Sequence, residues 1–407
     1  MSFLQNTINY NNSVKSEKEL TSDVWYDRTL LAIVFILVSI GIVMVTSSSL
    51  NYAQNIYSGD SYHFIYRHFI YLFIALMVSA FVLTQPIIMW QKYGPYFLVM
   101  GLALLVFVLF AGREVNGSRR WLALGPITIQ VSELIKLFIV VYIAGYLVRR
   151  TDELQTQLAG FMKPLAVLAL ISALLLLEPD FGGVVVILST SLAMLFLGGA
   201  RLWQFIGLTL AVGGTLGGIA VSQPYRLERI LTFLDPWSDP FGSGYQLTQS
   251  LIAFGRGNIF GQGLGNSLQK MSYLPEAHTD FVFAVIAEEL GLIGVFIILV
   301  LFFVLFIRAM TIGRTALLQG RAYSAYLAYG IGFWLTFQAL INIGVTSGAL
   351  PTKGLTLPFI SYGGNSLVIC GVAIAILLRI DYETRLIDKK LLSLKNSQLE
   401  MDGGKND

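Results

Sequence analysis

The chain has 407 residues, of which 55% are hydrophobic and only 13% are charged, and its net charge at neutral pH is +3. Soluble domains usually carry about 25% charged residues, so this composition excludes an ordinary soluble protein and indicates an integral membrane protein. The small net charge says little about partners, and we expect no nucleic acid among them.

Apolar segments of bilayer length recur along the whole chain. A spanning helix needs about 20 apolar residues, and ten segments approach that length: Leu30–Ser48, Phe64–Leu83, Tyr93–Ala111, Leu134–Val148, Pro164–Leu177, Gly182–Gly199, Leu202–Val221, Phe281–Ile307, Tyr323–Ile343 and Gly364–Ile380. The fifth and sixth are short and separated only by Glu178-Pro-Asp-Phe-Gly182, and counting them as two gives ten spans. The predicted fold is therefore an all-α polytopic membrane protein of about ten transmembrane helices.

The distribution of Lys and Arg predicts how the helices are oriented. With the N-terminus inside, the short inner loops hold eight Lys and Arg residues and the short outer loops five, as the positive-inside rule favours. We therefore expect a cytoplasmic polar tail at 1–27, a transmembrane domain at 28–380 and a second cytoplasmic tail at 381–407. A large extracytoplasmic loop at 222–280 would join the seventh and eighth helices.

The outer loop ends in Pro275-Glu-Ala-His-Thr-Asp-Phe281, which places Asp280 where the chain returns to the bilayer. One interpretation is a helix cap, in which Asp280 or Thr279 accepts hydrogen bonds from free backbone amides. The other is a general base at the rim of the membrane, within reach of water. The two are compatible, because Thr279 could cap the helix and leave Asp280 free. The three histidines show no metal-ligand spacing.

Cations and acids cluster around the start of the fourth span. Glu133 and Lys136 are three residues apart and share a helix face, so mutual neutralisation is the simplest interpretation. Ionisable residues inside a membrane are nevertheless candidates for function. Together with Arg119 and Arg120, Lys136 would form a cationic pocket near the outer surface, suited to phosphate or pyrophosphate.

Further acids lie in the tight outer turn, at Glu178 and Asp180, and in the eighth span, at Glu288 and Glu289. Glu289 would approach Lys136 only if their helices adjoin. The glycine-rich stretch Gly255–Gly265 matches no nucleotide-binding motif, so loop packing is expected, with a phosphate-binding nest as the alternative. Before it, Tyr245–Phe254 has the spacing of an interfacial amphipathic helix.

Several motifs occur together in one order: Asn116-Gly-Ser-Arg-Arg-Trp121, Gln130-Val-Ser-Glu-Leu-Ile-Lys136, Glu178-Pro-Asp-Phe-Gly182, Asp239-Pro-Phe-Gly-Ser-Gly-Tyr-Gln246, Pro275–Phe281, Leu350–Pro358 and Phe359–Gly364. From Leu30 to Arg385 the chain resembles the SEDS family of membrane proteins, the FtsW/RodA/SpoVE group. Pro351-Thr-Lys-Gly354 and the long polar N-terminal tail look like its cell-division branch. The chain departs from the common pattern at Val131, where proline is usual, and at Asn365, where serine is usual.

The resemblance implies a peptidoglycan glycosyltransferase that polymerises lipid II on the outer face of the bacterial cytoplasmic (inner) membrane, at the division septum. It also implies a class B penicillin-binding transpeptidase and other division proteins of the membrane as partners. The family's proposed catalytic acid falls on Asp280. Arg119, Arg120, Glu133, Lys136, Glu178, Asp180, Glu289 and Lys353 are then candidates for binding substrate.

An inverting transfer from an α-linked lipid pyrophosphate needs a base for the acceptor hydroxyl and positive charge for the leaving group. A divalent cation, Mg²⁺ or Mn²⁺, would be able to share the second role, although the sequence shows no dedicated carboxylate cage. Two alternatives use the same residues: a flippase that moves lipid II across the membrane, and a scaffold of the division machinery. The absence of an evident internal repeat disfavours the flippase.

Overall fold

The helices and strands follow the predicted order, in a computed structural model that describes residues 25–56, 60–115, 118–124, 127–201, 203–207, 210, 213–214, 217–218, 233–351 and 354–403. The elements are α1 (Arg28–Ile56), α2 (His63–Thr84), α3 (Ile87–Ala111), β1 (Arg113–Val115), β2 (Ser118–Leu124), β3 (Ile127–Gln130), α4 (Val131–Arg149), α5 (Thr151–Thr156), α6 (Leu158–Leu177), α7 (Phe181–Leu197), α8 (Tyr245–Gly257), α9 (Val282–Leu318), α10 (Ala322–Thr346) and α11 (Gly364–Gly403).

Eight of these helices are long and apolar enough to cross a membrane, and α7 is a shorter apolar helix. The polytopic helical fold is thus confirmed. The division of the fifth and sixth predicted spans is also correct, because α6 ends at Leu177 and α7 begins at Phe181. The seventh predicted span, Leu202–Val221, lies only partly within the described residues. The predicted total of ten spans therefore stays a prediction.

The centre of the bundle is α4. Nearly all of its residues are buried, including Glu133 and Lys136. Outer helices instead expose large apolar side chains, such as Phe73 in α2, Phe110 in α3 and Phe303 in α9, as expected for surfaces that face lipid. A helix buried on all sides can hold charged residues at a fixed position, because its neighbours supply their partners.

A small antiparallel sheet precedes α4, in the order β1-β2-β3. The predicted all-α fold contains no strands, so this small sheet is an addition to an otherwise helical fold. Its register aligns Arg113 with Trp121 and Trp121 with Gln130 across the three strands. The sheet thereby fixes the position of cationic and polar side chains beside the start of α4.

The long helix α9 is broken at Gly291, which has φ 64° and ψ −162°. The glycine-rich segment after α8 fills this break: Gln262 and Gly263 donate backbone hydrogen bonds to the carbonyls of Glu288 and Glu289, at 2.9 and 3.0 Å. A Cβ atom on Gly261 would lie 2.1 Å from the Glu289 carbonyl oxygen. These glycines therefore let the loop approach closely enough to donate hydrogen bonds to the free carbonyl groups at the helix break. This supports the packing interpretation of the segment. The predicted helix before it is present as α8, packed on α9.

Candidate active site

A cavity of about 670 Å³ lies at one end of the bundle, called the cavity end below. Its wall is built from the start of α2, the sheet, the starts of α4 and α7, the loop before α9 and the segment leading into α11. Eight charged side chains line it: Arg67, Arg113, Arg120, Lys136, Glu133, Asp180, Glu276 and Asp280. The fold thus brings five of the residues predicted from sequence into one polar cavity.

Asp280 lies in the last turn before α9, with its backbone firmly held. The Asn342 side chain on α10 donates to the Asp280 carbonyl at 2.8 Å and to the Leu355 carbonyl at 2.5 Å. This joins the loop before α9 to the segment before α11. Gly354 in that segment leaves room for the carboxylate, since a Cβ there would lie 2.6 Å from Asp280 Oδ2. The carboxylate is therefore positioned by its backbone and by a neighbour without a side chain.

The helix-cap interpretation of Asp280 is not supported. Phe281 occupies the N-cap position of α9, and its side chain makes no capping hydrogen bond. Thr279 donates its hydroxyl to the Glu276 carboxylate at 2.7 Å. No donor among the described residues hydrogen-bonds to the Asp280 carboxylate, so it remains available to a ligand in the cavity.

The pKa of Asp280 is shifted toward neutral pH. Burial raises the pKa of Asp280 to about 7, and the negative charge of Glu276 adds to this effect, while Arg120 opposes it and Asp180 reinforces it. A carboxyl group with a pKa near 7 is present in both protonation states at physiological pH. It can therefore accept a proton and release it again, as a general base must.

Arg120 lies at the edge of the cavity and has no carboxylate partner in the described structure. Its Nε and Nη2 atoms donate to the carbonyls of Glu178 and Pro179, at 2.8 and 2.7 Å. Those bonds fix the guanidinium against the turn between α6 and α7. Its remaining N–H groups are left to bind an anion.

Arg67 and Arg113 also line the cavity, and no described acid forms an ion pair with either. Both belong to the five Lys and Arg residues of the predicted short outer loops and are not among the predicted site residues. The sequence does contain an indication of this role, since both residues are cations at the predicted outer ends of helices. Only the fold, however, brings the start of α2 and the sheet to the side of Asp280.

Lys136 and Glu133 form a buried pair on α4. The Lys136 Nζ atom lies 2.8 Å from the Glu133 carboxylate and donates to Gln338 Oε1 at 2.7 Å. It also lies 5.8 Å from the centre of the Trp334 ring. Glu133 and Lys136 therefore neutralise each other, as the simplest interpretation predicted. Both residues also line the cavity. Lys136 retains one N–H donor for a ligand.

The turn between α6 and α7 separates its two acids. Asp180 lines the cavity and caps α7, because its Oδ1 atom accepts a hydrogen bond from the Gly183 amide at 3.0 Å. Glu178 is fully buried, and neither of its carboxyl oxygens has a hydrogen-bond partner among the described residues. Burial, with the charge of Asp180, raises the pKa of Glu178 to about 8 against the opposing effect of Arg120. Glu178 is hence a neutral packing group behind the cavity wall.

Besides Glu178, two other predicted residues among those the structure describes, Arg119 and Glu289, do not line the cavity. Arg119 lies 3.4 Å from Glu114 on the exposed side of the sheet, because successive side chains of a strand point to opposite faces. Glu289 faces the α8–α9 loop, where Lys270 Nζ approaches it to 2.7 Å and Ser47 donates at 3.1 Å. Glu289 therefore pairs with Lys270 on the α8–α9 loop, and the condition for its approach to Lys136 is not met. Lys353 lies outside the described residues.

His278 is a packing residue rather than part of a metal centre. It is buried against the rings of Tyr52, Phe64 and Tyr362, and burial lowers its pKa to about 4. Across the described part of the chain, no group of three or more His, Cys, Asp or Glu side chains is arranged to hold a metal ion. The cavity is lined by the Asp280 carboxylate and by the guanidinium groups of Arg67, Arg113 and Arg120.

These features define a polytopic helical membrane protein with carboxylates and guanidinium groups lining one cavity at the end of its bundle. Residues 27–386 match the model of the family described as "Cell cycle protein", FTSW_RODA_SPOVE. The chain belongs to this family, and the resemblance drawn from its motifs is confirmed.

Similar proteins are known by sequence and by structure. A protein of Tolumonas auensis named "Probable peptidoglycan glycosyltransferase FtsW" is 53% identical over 362 residues, covering 89% of this chain and 94% of that protein. A solved chain described under "Structural coordination of polymerization and crosslinking by a peptidoglycan synthase complex" has a TM-score of 0.72 and 28% identity, covering 88% of this chain and 98% of that one. The rod shape determining protein RodA of Thermus thermophilus has a TM-score of 0.65 and 26% identity, with the same coverage.

Proposed function

We propose that the protein is a peptidoglycan glycosyltransferase of cell division, which polymerises lipid II into glycan strands and releases undecaprenyl pyrophosphate. The names of the similar proteins support the activity. The observation that carries the mechanism is the Asp280 carboxylate, which has no described hydrogen-bond donor and a pKa of about 7 in a cavity lined by guanidinium groups.

In the proposed reaction Asp280 accepts the proton of the acceptor sugar's 4-hydroxyl as that oxygen attacks the anomeric carbon of the donor. The bond from that carbon to the pyrophosphate oxygen breaks on the opposite side, so the α-linked donor gives a β linkage. A base with a pKa near the working pH combines a useful fraction of carboxylate with sufficient basicity. The position of Gly354 beside the carboxylate leaves space for a hydroxyl group to approach.

The departing pyrophosphate gains negative charge, and fixed cations stabilise such charge in a site sheltered from water. Arg120 is the best-placed cation, since two backbone carbonyls already hold it. Arg67 and Arg113, which line the same cavity, would contact the same anion. Lys136 would contribute its third N–H, with Glu133 and Gln338 holding the ammonium group in place.

A flippase and a scaffold would place these groups differently. A flippase needs polar groups along a path to both faces, whereas the charged residues of this cavity come from element ends at the cavity end alone. A scaffold gives no reason for a titratable carboxylate beside uncompensated guanidinium groups. The enzyme is therefore the preferred proposal.

The proposed setting is the bacterial cytoplasmic membrane at the division septum, with the cavity outside and both termini in the cytoplasm. The proposed partner is a class B penicillin-binding transpeptidase. A similar chain belongs to a complex described as coordinating polymerization and crosslinking, which supports such a pairing. Coupling the two enzymes would let new strands be crosslinked as they form.

The test is polymerisation of lipid II by the purified full-length protein in detergent, with and without its transpeptidase, where no second compartment exists for transport. We expect glycan strands from the wild type and none from Asp280→Asn. The neighbouring arginines provide a matched pair: Arg120→Gln should lower the rate about 10²-fold, while Arg119→Gln should retain most of it. Absence of product from folded wild type bound to its partner would refute the proposal.

A further inference from the structure

A second polar pocket, of about 480 Å³, lies at the opposite end of the bundle. We call it the basal pocket and define it by the four cations that line it, Arg28, Arg308, Arg385 and Lys389. They come from the start of α1, the second half of α9 and the extension of α11. The proposed glycosyl transfer makes no use of any of them.

The course of α1 shows that the basal pocket and the cavity lie at opposite membrane faces. Arg28 is the first residue of α1, and Ser47 and Tyr52 near its other end contact Glu289 and His278. At about 1.5 Å per residue, the 24 residues from Arg28 to Tyr52 span roughly 36 Å, which exceeds the hydrocarbon core of a bilayer. The basal pocket is therefore on the face away from Asp280.

The acids near the basal pocket already have partners. Asp27 accepts the Leu30 amide at 3.0 Å as a helix cap and receives both Nε and Nη2 of Arg308. The Asp381 carboxylate forms an ion pair with Arg385, whose Nε lies 2.7 Å from Oδ2. Arg28 has no ion-pair partner in the part of the chain that the structure describes, and its guanidinium carbon lies 5.2 Å from the centre of the Trp25 ring. Three guanidinium groups beside two carboxylates leave an excess of positive charge at Arg28.

The residues around the basal pocket place it at the level of lipid headgroups. Trp25 is 65% exposed, and tryptophan is enriched at membrane–water interfaces. Within the next three turns of α1, Leu31 and Phe35 expose apolar surface that faces lipid chains. A ligand in the pocket would thus have its anionic group among the arginines and an apolar part along α1.

We propose that the basal pocket binds the phosphodiester headgroup of an anionic phospholipid in the leaflet opposite the cavity. A phosphate group matches the guanidinium groups of Arg28, Arg308 and Arg385, and clustered cations directly beside a spanning helix favour anionic lipid. The acyl chains would lie along Leu31 and Phe35. This site would tie the start of α1 to the extension of α11, beside the ring contact between Tyr26 and Tyr382.

The test is native mass spectrometry of the purified full-length protein titrated with phosphatidylglycerol and with phosphatidylcholine of the same chain length. Each removed cation should weaken binding of phosphatidylglycerol roughly fivefold, so Arg28→Gln combined with Arg385→Gln should weaken it roughly 25-fold. Phosphatidylcholine should bind weakly to every form. The matched control is Arg314→Gln, which removes an exposed cation from α9 outside the pocket.

Arg28→Gln alone keeps the test valid if the double variant fails to fold, because it breaks no described ion pair. Soluble glycerol phosphate distinguishes a lipid from a free phosphate and should not displace the lipid at equal concentration. Equal affinity of the folded Arg28→Gln variant and wild type, or an equal loss in Arg314→Gln, would overturn the proposal. So would equal binding of phosphatidylcholine. Strand synthesis from lipid II is measured separately, so the two proposals fail independently.

Discussion

Replacing Asp280 by asparagine should make the protein inactive and, at the same time, more stable. Burial, assisted by Glu276, raises the pKa of Asp280 from 3.8 to about 7. Each pKa unit corresponds to about 1.4 kcal/mol, so keeping this group ionised costs at most about 4 kcal/mol. Because the side chain is only half-buried, screening by solvent reduces the expected cost to about 1–2 kcal/mol.

The two pKa values determine how the stability gained by Asp280→Asn depends on pH. Below pH 4 the carboxyl group is protonated in both the folded and unfolded states and costs nothing. Between pH 4 and 7 the unfolded chain releases the proton while the folded protein retains it, so stability falls as the pH rises, and the full cost is present above pH 7. Asparagine removes that cost, and the stabilisation by Asp280→Asn should therefore grow from pH 5 to pH 8.

The assay is thermal unfolding of the purified protein in detergent at pH 5 and pH 8, alongside lipid II polymerisation. We expect Asp280→Asn to unfold a few degrees higher than wild type at pH 8, with a smaller difference at pH 5. Asp60→Asn is the control, because Asp60 is about half exposed at the start of α2. A gain in stability that is the same at both pH values would refute the desolvated carboxylate, and normal strand synthesis would refute the base.

Three further predictions concern the same cavity. The wild-type rate should rise with pH through about 7, as Asp280 loses its proton, and a flat profile of kcat/KM from pH 5.5 to 8.5 would contradict this. Gly354→Ala should lower the rate about tenfold or more with little change in unfolding temperature, since its Cβ would lie 2.6 Å from Asp280 Oδ2. Lys136→Met should destabilise the protein by about 3–5 kcal/mol, because it leaves Glu133 buried without a cationic partner. Adding Glu133→Gln should restore the unfolding temperature but not the activity. If the double variant also regained activity, the pair would have a purely structural role.

The sequence predicts best what is local along the chain. The apolar segments locate the helices, and the three-residue spacing of Glu133 and Lys136 correctly predicts a pair on one face of α4. The turn at Glu178–Asp180 follows from a short polar interruption between two apolar runs. Each of these conclusions depends on neighbours within a few residues, where helix geometry fixes the distances.

What the sequence does not predict depends on which helices adjoin. Glu289 and Lys136 both lie in spans, but only packing decides that Glu289 meets Lys270 instead. The contributions of Arg67 and Arg113 depend on the start of α2 and the sheet lying beside the loop before α9. Arg119 and Arg120 are equivalent candidates until the strand β2 assigns them to opposite faces.

The pairing of acids within the bundle argues most directly for the role of Asp280. Glu133, Glu288 and Glu289 each have a cation within about hydrogen-bond distance, at 2.8, 3.1 and 2.7 Å, as the cost of burying charge requires. Glu178 has no such partner, but it is sealed from the cavity and its pKa of about 8 keeps it neutral. Asp280 differs from all of these, because it has no described donor at its carboxylate, titrates near pH 7 and faces the cavity. A bundle that pairs Glu133, Glu288 and Glu289 with cations leaves this destabilising carboxylate unpaired where the acceptor hydroxyl would meet the donor, which is the expected arrangement for a general base.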